Sequence, residues 1–79
     1  KHELLLSKEE YLVEDSMEQI RTRLKTENSI AFTTLFQKQD SKRKVITVFM
    51  ALLELCRLGE LSFQQQENFG PLWIFPKAV

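Results

Sequence analysis

Lys38, Lys42, Arg43 and Lys44 crowd into seven residues with one acid, Asp40, so four cations against one anion leave a local surplus of three. They fall at the predicted start of a helix, where cations oppose the macrodipole, so something other than helix stability accounts for their place. Phosphate contact and an acidic protein partner each fit, and a solvated turn is the favoured reading, because Ile46, Met50 and Leu53 lie behind the cluster. The remaining reactive residue types are sparse. Cys56 is the only cysteine, which excludes an internal disulfide and a thiolate zinc cluster. It lies in a dense apolar run, which predicts a small buried hydrophobe, not a nucleophile. His2 stands near the terminus as a solvated side chain. Glu9-Glu10 and Glu14-Asp15 lack the spacing of a calcium loop and suit the first turn of a helix instead. There is no glycine-rich phosphate loop, no His-Glu metal spacing and no Ser/His/Asp set. The expectation is a protein without catalysis, metal or cofactor.

The chain has 79 residues, 11 basic and 11 acidic, with 43% hydrophobic and 28% charged residues. That composition is globular and suffices for one small domain. Zero net charge argues against a bulk electrostatic nucleic-acid binder, although a local patch stays open. The longest apolar run, Val48 to Leu53, falls far short of the ~20 residues that span a bilayer. A soluble protein of the reducing cytoplasm is expected, with no membrane partner. The start at Lys1 without Met reads as a piece of a longer polypeptide.

The elements that must position these residues follow from periodicity. Val13, Met17, Ile20 and Leu24 recur with helical spacing, predicting a first helix over about 13–26, which Asn28-Ser29 ends. Ser7 with Glu10 forms a capping-box pattern that could start a turn earlier. Residues 1–12 read as a lead-in or linker end, and 13–79 as the domain. Ile30-Ala31-Phe32 suits a strand stub. Thr33 can cap a short second helix carrying Leu35 and Phe36, ending near Gln39-Asp40. Ser41 caps a third, whose apolar pattern runs from Val45 to Leu58 before Gly59 stops it. Leu61 to Gln65 alternates with period two, Asn68-Phe69-Gly70-Pro71 is turn chemistry, and Leu72 to Phe75 is a second strand closed by Pro76. The order predicts an α+β, mainly α, winged helix: three helices plus a C-terminal β-hairpin.

On the third helix, with Val45 at zero and 100° per residue, Val48, Phe49, Leu52, Leu55 and Cys56 lie within about 80° of one direction and are expected in the core. Ile46, Met50 and Leu53 extend the apolar surface beyond that, leaving a narrow polar side with Thr47, Glu54 and Arg43. Either the hairpin covers the excess or a partner does. A greasy stripe behind the cations does not suit base readout. The hairpin is similar: both faces of Leu72-Trp73-Ile74-Phe75 are apolar, and Trp73 and Phe75 have no evident internal home.

Val48-Phe49-Met50-Ala51-Leu52-Leu53-Glu54-Leu55, then Leu61 to Gln65 and Phe69-Gly70-Pro71-Leu72-Trp73-Ile74, resemble the C-terminal domain of the bacterial kleisin family, segregation and condensation protein A. Met17 to Ile20 with Leu24, and Phe32 to Phe36, resemble its first two helices. The resemblance runs from about Leu6 to Phe75 and departs at Pro71, where many members carry an acid. It implies a winged helix that docks on the ATPase head of a structural maintenance of chromosomes (SMC) protein in the condensin-like complex for chromosome condensation and segregation. It further implies segregation and condensation protein B as a partner of the rest of the longer chain, DNA contact only through the complex, and association with the nucleoid. Head binding falls to Phe49, Leu53, Leu72, Trp73, Ile74 and Phe75, to which the helical wheel adds Ile46 and Met50. A second reading, a DNA-binding winged helix of a transcription regulator, places Lys38, Lys42, Arg43 and Lys44 on phosphates.

Overall fold

A computed structural model describes residues 12–77. The lead-in, with Ser7, Glu9, Glu10 and His2, lies outside those residues. Helix α1 spans Val13–Glu27 and α2 spans Lys42–Arg57, while strands β1 (Ile30–Ala31), β2 (Leu61–Gln65) and β3 (Leu72–Pro76) form one antiparallel sheet in the order β1-β3-β2. The fold is α+β and mainly helical.

Each helix ends for a local reason. Asn28 adopts φ 64°, and its N–H donates to the Leu24 carbonyl, closing α1 in the left-handed conformation that asparagine tolerates. Ser41 caps α2 by accepting the Lys44 N–H at 3.1 Å. At the other end Gly59 takes φ 78°, its N–H donates to the Cys56 carbonyl, and the Glu60 N–H donates to Leu55, which is a Schellman closure.

The segment between the helices departs from expectation. Phe32–Leu35 is a single 3₁₀ turn, not a second α-helix, and Ala31 rather than Thr33 occupies its N-cap position. Thr34 instead donates its hydroxyl to the Ala31 carbonyl at 2.7 Å, while Phe32 and Phe36 pack ring on ring with centroids 5.2 Å apart. An aromatic pair anchored on the core holds this stretch where four residues of helix could not support themselves.

The core joins Met17, Ile20 and Leu24 of α1 to Val48, Ala51, Leu52 and Leu55 of α2, and closes with Ile30, Leu61 and Ile74 from the three strands. Ile74 pairs with Ile30 on one side and Phe63 on the other. The β2–β3 loop turns at Glu67–Gly70, where the Gly70 N–H donates to the Glu67 carbonyl at 2.9 Å. A Cβ on Gly70 would come within 3.2 Å of that same oxygen, so a larger residue there requires the turn to shift by a few tenths of an ångström.

One ion pair ties distant segments together. The Arg21 guanidinium makes a fork to Glu60, with Nε to Oε1 at 2.7 Å and Nη2 to Oε2 at 2.8 Å, and also reaches Glu18 at 3.0 Å. It links the middle of α1 to the turn after α2, 39 positions away in sequence. Hydrogen bonding from Arg21 holds the Glu60 carboxyl below its ordinary value, outweighing partial desolvation.

Two outcomes follow. Ile74→Ala is expected to lower unfolding stability in urea by about 3 kcal/mol, and Leu53→Ala on the exposed side by less than about 1 kcal/mol. Because the folded-state value of Glu60 is depressed, its contribution is complete above the usual carboxylate value near 4.5 and is lost as pH falls through the folded value. Thermal melts of Glu60→Gln should therefore show a smaller decline than the wild type on acidification below pH ~4.5.

Candidate functional site: the outward face of α2

Which side chains of α2 face solvent depends on where the core direction falls. Thr47, Val48, Ala51, Leu52 and Leu55 are the buried residues. They centre about 90° away from Val45 on the wheel. Ala51 lets α1 approach closely, and Thr47 is buried at low cost because its hydroxyl donates back to the Arg43 carbonyl at 2.9 Å. The predicted core face is thereby corrected. Phe49 and Cys56, expected in the core, are exposed, and Thr47, assigned to the polar side, is inside.

The rotation gathers the outward apolar residues into one stripe. Val45, Ile46, Phe49, Met50, Leu53 and Cys56 follow the helical i, i+1, i+4, i+5, i+8, i+11 pattern and are all exposed. Phe49, Ile46, Met50 and Leu53 each keep about half of their surface in water. Glu54 and Arg57, at the C-terminal end, neutralise each other through a hydrogen-bonded pair. At the N-terminal end, Lys38, Lys42 and Arg43 are exposed, while Lys44 is half-buried with its ammonium 3.9 Å from Asp40. Asp40 also accepts the Gln37 N–H at 2.8 Å. It anchors the turn and takes Lys44 away from the exposed cations.

The expected wing residues divide. Ile74 is fully buried, at 0% exposure, and belongs to the core, not to any contact surface. It is level with Ile30 and Phe63, so it shares with them the sheet face that packs on the core. Trp73 and Phe75 alternate to the opposite face, Trp73 level with Ala31 and Gln64, and Phe75 level with Ser62. Both are half-buried, as is Leu72. Periodicity did not single out Phe69. At the hairpin tip this residue is 102% exposed and holds φ 64°, a region that a β-turn ordinarily gives to glycine or asparagine.

Among the described residues, no group of three or more His, Cys, Asp or Glu side chains could hold a metal ion. Nor is any described helix long and apolar enough to cross a membrane.

The profile of the family described as Segregation and condensation protein ScpA matches residues 1–76 of the chain. The chain belongs to the segregation and condensation protein A family. Segregation and condensation protein A of Streptococcus suis (strain 05ZYH33) is 33% identical over 69 residues, which cover 87% of this chain and 29% of that protein. The namesake in Streptococcus sanguinis (strain SK36) is 36% identical over 67 residues, 85% of this chain and 28% of that one. For Streptococcus pyogenes serotype M5 (strain Manfredo) the figures are 34% over 68 residues, 86% and 29%. The chain thus spans less than a third of the length of these relatives. In this segregation and condensation protein A domain, the Cys56 thiol should react with a maleimide under native conditions as fast as a solvated model thiol. Protection to the level of global unfolding would return it to the core.

Proposed function

We propose that this domain is a non-enzymatic docking module, a winged helix in which the 3₁₀ turn stands in for the second helix and β2–β3 forms the wing. On this reading it binds the ATPase head of an SMC protein and so contributes to chromosome segregation and condensation. The single observation that carries the proposal is the exposed stripe of α2, in a domain whose core is already closed by other residues. Half-exposed Phe49, Met50 and Leu53 on one helix face are a costly arrangement in water unless a partner covers them. Ile46 completes the helical part of the contact, and Leu72, Trp73 and Phe75 supply the strand part, with Ile74 omitted because it is buried. The aromatic side chains are the natural anchors. Family membership supports a place in the segregation and condensation complex, in the cytoplasm at the nucleoid. Segregation and condensation protein B would bind elsewhere along the longer chain, and DNA would be met only through the complex.

The phosphate reading is disfavoured by the arrangement of charge. Lys44 is engaged with Asp40, and the surface behind Lys42 and Arg43 is apolar. The wing carries no Lys or Arg from Glu60 to Pro76, so it offers nothing to neutralise a phosphate backbone.

Co-purification of the full chain with the SMC head tests the docking. Leu53→Arg, and separately Trp73→Asp, should keep wild-type circular dichroism and lose capture of the head by at least about 100-fold, since each places a charge in a desolvated contact. Wild-type affinity in both would overturn the proposal. A salt-titrated assay with duplex DNA should show no binding even at low salt.

A further inference from the structure

The apolar stripe of α2 does not end in neutral surface. Advancing 100° per residue, Lys42 projects within about 20° of Phe49 and Leu53, and Arg43 within about 20° of Met50. Both cations therefore stand on the same face as the stripe, at its N-terminal end, and both are exposed. A shallow depression of about 400 Å³ is lined by Ser41, Lys42, Arg43 and Ile46, so the cationic end and the first apolar side chain share one concavity. Lys38, also exposed, lies in the turn just before it. None of the three makes an ion pair with a described residue, whereas the cation at the other end, Arg57, is already neutralised by Glu54. Uncompensated positive charge thus lies at one end of the stripe only, where it also works against the macrodipole of its own helix.

From this asymmetry we infer that the surface which α2 docks on is apolar in its middle and carries Asp or Glu side chains at the edge that meets Lys42 and Arg43. The inference rests on the docking reading above and adds the chemistry and polarity of the partner surface. Nucleic acid fits this face poorly. Ile46 shares the depression with the cations, and a phosphate held there would lie against an uncovered hydrocarbon stripe. A protein surface satisfies both halves: apolar contact supplies affinity, and the acidic edge sets which way α2 points and speeds encounter. The orientation is the specific gain, because a stripe of helical apolar residues alone could be covered in either direction, whereas one charged end permits a single alignment.

The test compares three full chains against the SMC head domain by stopped-flow association at several ionic strengths. Lys42→Glu with Arg43→Glu should slow association about tenfold at low salt and flatten its salt dependence, while changing the dissociation rate less. Lys42→Gln with Arg43→Gln should fall between that variant and the wild type. If both double variants associate at the wild-type rate with the wild-type salt slope, the acidic edge is overturned. Leu53→Arg serves as the control for the parent reading: its loss of binding, with unaltered kinetics in the charge variants, rejects the acidic edge and leaves docking in place. Full binding of Leu53→Arg and of Trp73→Asp alike rejects docking itself. A fourth arm uses a 20-base-pair duplex, and binding that disappears in the glutamate variant would overturn the inference in favour of phosphate contact.

Discussion

α2 carries more apolar side chains than the described helices and strands cover. With five of its residues buried and six more apolar or weakly polar ones outside, the helix must choose which arc to turn inward. The choice follows from size more than from hydrophobicity. Ala51 sits at 0% exposure and Thr47 satisfies its own hydroxyl within the helix, so the arc containing these small residues admits α1 at close range. The bulkier arc, with Phe49, Met50 and Leu53, would hold the two helices apart. Everything else adjusts to that packing: Leu52 and Leu55 reach the sheet, Ile74 rises to meet them, and the bulky side chains are left in water.

This accounts for how far the sequence was legible. The end of α1 at Asn28, the Ser41 cap, the stop at Gly59, the stub at Ile30 and the hairpin all rest on local chemistry and were visible in residue order. The facing of α2 was not. A wheel centred on the bulk of the apolar residues averages two apolar arcs into one and points between them, which drew Phe49 and Cys56 into the expected core and put Thr47 outside. Ile74 was misassigned for a related reason, since four consecutive large apolar residues do not reveal which alternate pair is inside. The predicted second helix failed because Thr33 resembles a cap in isolation, whereas tertiary packing of Phe32 against Phe36 decides that stretch. No spacing rule could have joined Arg21 to Glu60.

Charge in this domain has two separate uses. Arg21, Glu18 and Glu60 spend theirs inside the molecule, bracing α1 against the turn after α2, and Glu54 with Arg57 and Arg23 with Glu27 do the same along single helices. Among the described residues, Lys38, Lys42 and Arg43 take no part in such pairing. Overall neutrality therefore conceals a local cluster of three exposed cations at the beginning of the helix that also bears the outward apolar stripe.

The sheet order β1-β3-β2 also has a temporal meaning. The last described strand is the middle one, and it contributes the residue at the centre of the core. During synthesis α1, β1 and α2 emerge before any strand exists that can join β1 to β2, so the nascent chain shows both arcs of α2 to its surroundings. Only when Leu72 to Pro76 has left the ribosome can the inner arc be sealed. A ribosome that stalled before Leu72 would release a polypeptide with two unpaired strand edges and an open core, a natural substrate for chaperones and proteases. The outer arc gains no such relief from the completed fold and stays exposed.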